Sequence, residues 1–322
     1  MRKFLVASVV FLLFSQIFST VVFAADRTAK NVGLGKIVTQ DLTVIRRNEI
    51  GSYSVNFELV LNYATLCQMM NYNPDQDILS IYPNTRFIDL PKFKNRMFII
   101  DEAGQDANGK GIQTIVFRGS GHPRNFLVDL NFRPSKAKET GCRIHRGFLK
   151  SVREVHEIAT PYLDKNRKVR LAGSSLGGGL ALVYAMFLEK KGYDVDLIIT
   201  FGQPRVTDTK GRELFKHLPL IRIINRTDAF PAIPPFKPFG YAHFGQAIIL
   251  YDESHFCVYN QHVLDQIKDK SDVANFFYKV KKKDISIPNH FINLVAQKLE
   301  GYVKNGTTYR LHDLGILPED AE

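Results

Sequence analysis

The rhythm of apolar and polar positions changes three times along the chain. Behind a short basic start, Met1-Arg2-Lys3, residues 4–23 are almost uninterruptedly apolar, and Val22-Phe23-Ala24 puts small residues where a signal peptidase cleaves. This pattern predicts a signal peptide over residues 1–24, a mature chain from Ala25, and a secreted or periplasmic protein. An N-terminal membrane anchor is the alternative, although Ser8, Ser15, Gln16, Ser19 and Thr20 weaken the run as a bilayer span. From residue 26 to about residue 96 the texture is mixed. Its clearest element is a helix predicted over residues 57–70, where Leu59, Val60, Tyr63, Ala64 and Cys67 recur near a helical period. The segment 25–96 reads as a cover packed on a later core. Beyond it, Met97-Phe98-Ile99-Ile100-Asp101 and Thr114-Ile115-Val116-Phe117-Arg118 flank the turn signals between Gly104 and Gly111 and predict a hairpin. Strands and helices then take turns: helix 147–163, strand 169–172, helix 177–191, strand 195–201, strands 220–224 and 247–251, and a closing helix 289–299. Such alternation predicts an α/β fold, a mostly parallel central sheet with helices on both faces. No repeat or Pro/Ser linker interrupts residues 25–322, which read as a single domain.

Composition narrows the function classes. With 322 residues, 45% hydrophobic and 23% charged, the chain can bury a substantial core, which excludes wholesale disorder and fibrous repeats. Cys67, Cys142 and Cys257 are too few for a disulfide framework and leave room for one disulfide at most. No CxxC or paired Cys/His spacing offers a metal site, and nothing calls for a cofactor. The formal net charge is +11, of which Arg2 and Lys3 contribute two. It favours anionic partners such as a membrane surface. Nucleic acid is not expected, because the charge is spread without an aromatic-interleaved basic motif. The basic run at Lys279, Lys281, Lys282 and Lys283 reads first as a solvated helix face, and second as a lipid-headgroup contact.

The chemistry centres on Gly173-Ser174-Ser175-Leu176-Gly177, a G-x-S-x-G sequence between a predicted strand and a predicted helix. The pattern alone is weak; its setting gives it weight. Glycines let a strand turn sharply into a helix, so that a serine at the tip becomes a nucleophile beside helix N–H groups. The base and acid that such a serine needs follow it at the ends of later strands. Asp228, in the proline-rich loop after strand 220–224, fits the acid. For the oxyanion, the N–H of Leu176 and a group at Ser120, just past strand 114–118, are the candidate donors. Two histidines compete for the base. His243 lies close after the acid and directly before a strand. His290 arrives after the last strand, behind Pro288 and Asn289, at the start of a helix whose positive end keeps a resting imidazole neutral. His290 is the expected base, His243 a structural or cleft residue, and His255 and His262 outsiders.

With these residues in place, the chain resembles the class 3 (fungal-type) lipases of the α/β-hydrolase fold. Five segments carry the likeness in the family's order: Val116-Phe117-Arg118-Gly119-Ser120, His145-Arg146-Gly147-Phe148, the elbow from Leu171 to Ala181, Thr200-Phe201-Gly202-Gln203-Pro204-Arg205-Val206, and the loop from Asn225 to Pro235. The resemblance implies ester hydrolysis on lipid acyl esters, with Ser175 as nucleophile, Asp228 as acid, Ser120 and Leu176 as the oxyanion hole, and a histidine in a late, pre-helical segment such as His290. It also implies a lid after the oxyanion residue, where Phe126, Leu127 and Leu130 stand. There are departures: Ser174 replaces the family's common histidine, and the lid's usual Trp has no counterpart in a chain with no Trp. The expected function is a secreted serine esterase, foremost a lipase acting on acylglycerols at a lipid–water interface. A phospholipase A1 or lysophospholipase is the alternative within the class. A catalytically silent lipid-binding module is the alternative outside it.

Overall fold

The computed structural model describes residues 44–47, 53–70, 75–105, 109–119, 133–226, 228, 230–234, 236–251, 256–260 and 292–305. Residues 1–24 and the basic run at 279–283 fall outside this set.

Eight strands form the central sheet, and they lie across it in the order of the chain. They are β1 (Thr85–Leu90), β2 (Asn95–Gln105), β3 (Gly111–Phe117), β4 (Lys168–Ser174), β5 (Asp194–Phe201), β6 (Leu220–Asn225), β7 (Gln246–Leu250) and β8 (Phe256–Asn260). The strands from β3 to β7 pair in parallel, whereas β1, β2 and β8 are antiparallel to their neighbours. The parallel centre is what the alternating pattern predicts, because each parallel step needs a crossover over one face. The antiparallel β2–β3 pair is the predicted hairpin. Segment 25–96 does more than cover: it supplies the outer strand β1.

Alternate residues of each strand feed two apolar layers. On one face, Ile115, Phe117, Leu171 and Ile198 pack with α2 (Arg146–Ala159) and α3 (Leu176–Lys190). Residues 177–188 of α3 are all buried, so this helix is apolar all round and runs between the sheet and α2. Helix α2 is amphipathic and starts at His145, whose side chain accepts the N–H of Gly147. On the other face, Val116, Ala172, Ile199 and Ile223 meet α1 (Phe57–Met69) and α4 (Ile292–Asn305). Asn56 caps α1 by accepting the N–H of Leu59 at 3.0 Å. Phe57 stacks on Tyr302 at 4.5 Å and meets Phe256 edge-on at 4.7 Å, which joins the two helices from opposite ends of the sequence.

This second face also buries charge. Arg170, fully buried on β4, donates to Asp196 at 2.9 Å and to Glu102 at 3.5 Å, and Glu102 also accepts from Thr114. Burial pushes the Glu102 carboxyl above its ordinary pKa. A smaller sheet of two- to four-residue strands, Pro134–Ala137, Cys142–His145, Thr207–Asp208 and Tyr241–Ala242, lies apart from the main one. Cys67 and Cys142 are free buried thiols in different apolar layers, so neither takes part in the one disulfide that the sequence allowed for. Among the described residues, no helix is long and apolar enough to cross a membrane.

Candidate active site

Ser175 is the single residue between β4 and α3, and its backbone is strained. Its φ of 56° and ψ of −120° lie where side chains other than glycine seldom go, at a cost of about 1–3 kcal/mol. Surrounding backbone holds it there. The Ser175 N–H donates to Phe201 O at 2.8 Å, and the Ser175 carbonyl accepts from Gly179 N–H at 3.2 Å. The turn is tight enough to exclude any Cβ at its flanks. One added to Gly173 would stand 2.3 Å from the Gly177 carbonyl, and one added to Gly177 would stand 2.5 Å from Phe117 O. The ends of β3 and β4 and the first turn of α3 are thus in direct backbone contact, and the two glycines of the motif are where they touch.

This geometry sorts the elbow's donors. Because the Ser175 N–H is committed to Phe201, the candidate oxyanion donor is the N–H of Leu176, first residue of α3, at the positive end of the helix dipole. The end of β3 lies against the elbow through Gly177. There Arg118 N–H donates to Arg96 O at 3.0 Å and Asn95 Nδ2 to Arg118 O at 3.4 Å, which fixes the strand end up to Gly119. Ser120, the second expected donor, lies outside the described residues, as do Phe126, Leu127 and Leu130 of the expected lid.

Asp228 sits half-buried beyond the end of β6. Its N–H donates to Asn225 O at 2.8 Å, and its Oδ1 accepts the N–H of Phe230 at 2.9 Å, an Asx-type turn that fixes the carboxylate to its own loop. The following residues are held from elsewhere. Arg205 Nη1 donates to Ala232 O at 2.7 Å and to Pro234 O at 3.2 Å, and Arg205 N–H donates to Ile233 O at 2.8 Å. His243, buried, has Nε2 2.7 Å from Pro231 O. A carbonyl can only accept, so Nε2 carries the proton and holds the loop. Lys298 of α4 donates to Asn225 Oδ1 at 2.7 Å. His290 and Asn289 lie outside the described residues, and so do His255 and His262. The helix expected over 289–299 is described as α4, with Ile292, Val295, Ala296, Leu299 and Tyr302 buried.

His145 caps α2 and packs beside Tyr241 of the smaller sheet. Its ring meets Phe148 at 5.2 Å and Tyr241 at 6.1 Å. Burial lowers its pKa to about 4, so the ring is neutral near pH 7. Since Nδ1 accepts from Gly147 at 3.1 Å, the proton is on Nε2, which has no hydrogen-bond partner among the described residues. The supports at Arg205 and Lys298 were missed as such from sequence, and of these two only Arg205 carried a signal, by its place in the segment Thr200–Val206.

Residues 114–237 match the lipase (class 3) family. This match covers less than half of the chain. The chain is 35% identical over 171 residues to a lipase of Rhizomucor miehei, covering 48% of this chain and 47% of that protein. To a secreted mono- and diacylglycerol lipase of Fusarium solani it is 33% identical over 142 residues, 40% of this chain and 41% of the relative. A phospholipase A1 of Oryza sativa subsp. japonica is 26% identical over 179 residues, 46% of this chain and 45% of the relative. The chain thus spans less than half the length of the relatives it matches. Among solved structures, a deletion mutant of the Rhizomucor miehei lipase–propeptide complex superposes with a TM-score of 0.54 at 25% identity, covering 68% of this chain and 76% of that one. The chain has the α/β-hydrolase fold, and its residues 114–237 are similar to class 3 lipases.

Proposed function

We propose that this chain is a class 3 lipase-type serine carboxylic-ester hydrolase acting on lipid acyl esters. The reading has it work as a single domain, exported after loss of residues 1–24. The observation that carries it is the strained backbone of Ser175 at a strand–helix junction, because a fold sustains such strain where a side chain must be held at a helix N-terminus. In this reading Ser175 Oγ attacks the ester carbonyl while His290 takes its proton, and Asp228 orients and stabilises the imidazolium. The oxyanion accepts hydrogen bonds from Leu176 N–H and from Ser120. The intermediate collapses with release of the alcohol, protonated by the histidine, and water then hydrolyses the acyl-serine. Phe126, Leu127 and Leu130 act as a lid that opens at a lipid surface, and the net positive charge of the chain favours anionic lipid.

Acylglycerols are the favoured substrates, in line with the similarity to the mono- and diacylglycerol lipase of Fusarium solani. The test is covalent labelling by a fluorophosphonate together with product analysis on tri-, di- and monoacylglycerols and phospholipids. Labelling and hydrolysis that both vanish in Ser175→Ala, with the fold intact, support the reading. A protein that binds lipid yet shows neither is a silent module. Release of fatty acid from phospholipids alone makes it a phospholipase.

A further inference from the structure

We propose that Lys298, on the C-terminal helix, is a positioning residue for the candidate acid Asp228. This rests on the ester-hydrolase reading above. The Lys298 ammonium donates to Asn225 Oδ1 at 2.7 Å and to Tyr251 O at 3.0 Å. Asn225 is the last residue of β6 and is buried, and its carbonyl accepts the Asp228 N–H at 2.8 Å. Tyr251 directly follows β7. One ammonium therefore bridges the carboxyl ends of two adjacent parallel strands, at the point where the acid loop leaves the sheet. The same two ends are joined from the strand side: Arg226 N–H donates to Leu250 O at 2.9 Å, and the Arg226 guanidinium lies 4.8 Å from the centre of the Tyr251 ring.

An ammonium suits this role, since it has donors to spare for two neutral oxygens at once. The apolar residues of α4 set the helix on the sheet face, and Lys298 adds a directional contact to the strand ends. Helix α4 also begins two residues after His290, so the contact lies within one short stretch of chain of both partners assigned to Ser175. Triad chemistry depends on sub-ångström placement, and a tether of this kind supplies it without touching substrate.

The experiment compares wild type, Lys298→Met and Lys298→Arg on a soluble p-nitrophenyl ester, with active sites counted by fluorophosphonate and folding followed by thermal denaturation. The Met variant keeps the stem and removes the donors. Its kcat should fall about ten- to a hundred-fold with KM nearly unchanged. The acid limb of its kcat/KM profile should move to lower pH, because a displaced carboxylate no longer favours the imidazolium. Lys298→Arg should recover most of both. A folded Lys298→Met enzyme with unchanged kcat and acid limb, or one that loses only thermal stability, overturns the inference. If the Met variant does not fold, Lys298→Gln is read by the same criteria. A wild type that neither labels at Ser175 nor cleaves ester ends the hydrolase reading and this inference with it. An active, labelled wild type beside an indifferent Lys298→Met ends this inference alone.

Discussion

The elbow at the end of β4 and the acid loop at the end of β6 are held in opposite ways. At the elbow, backbone presses on backbone: Gly173 and Gly177 allow the contact, and a hydrogen bond from Ser175 N–H to Phe201 O closes it. At the acid loop, side chains reach in from distant parts of the chain, Arg205, His243 and Lys298, and bind carbonyls or an amide. The elbow's strain sits in one contiguous motif and is sustained by backbone from β3 and β5, whereas the acid loop's shape is assembled by side chains from elsewhere. A contiguous motif can therefore encode the first. The second depends on residues with no sequence relation to one another.

The largest effect should come from the loop's own chemistry. Asp228→Asn is expected to lower kcat by about four orders of magnitude with little loss of stability, since it leaves the base misoriented; a pre-steady-state assay on a soluble ester measures it. His290→Ala should lose as much, while His243→Ala should stay within about ten-fold of wild type, because its Nε2 is engaged by Pro231 O. The reverse order would move the base to His243.

The elbow is next. Gly177→Ala places a Cβ against Phe117 O and Arg118 O, so the junction must open. Activity should drop about a hundred-fold and stability by about 1–3 kcal/mol, read by kinetics and denaturant titration. Retention of both would mean the backbone contact is not what holds the elbow. A side-chain support should matter less: Arg205→Met, which leaves the Ala232 and Pro234 carbonyls without this donor, should cost about ten-fold in kcat and about 1–3 kcal/mol.

The last effect concerns His145 and is read in stability, not in turnover. Its folded pKa of about 4 lies below the ordinary 6.5, so between these values the unfolded chain binds more protons. Its contribution is complete above about pH 6.5 and is lost as the pH falls toward 4, with a slope of at most about 1.4 kcal/mol per pH unit. His145→Asn, which keeps a capping acceptor, should flatten that part of the stability profile when denaturation midpoints are compared across it.

How much was legible in the sequence follows from range. Helix α1 announced itself because burial on a regular face imposes a period over many residues, while α3 and the parallel strands did so as unbroken apolar runs. Strands such as Thr207–Asp208 and Tyr241–Ala242 are too short to carry a period, and β1, with polar Thr85, Arg86 and Asp89, gave no clear alternation. The fully buried Arg170 was equally unreadable, since its partners Glu102 and Asp196 are far away in sequence.

By itself, then, the sequence determined what depends on neighbours along the chain: the alternation that makes a parallel sheet, the glycines of the elbow, and Ser175 between them. Tertiary structure alone decided that the elbow's N–H is tied to Phe201, that helices from the two ends of the chain share one sheet face, and that Arg205, His243 and Lys298 converge on the acid loop. The reason is physical. A local turn is specified by the conformations its own residues allow, while a long-range hydrogen bond has no signature until folding brings donor and acceptor together.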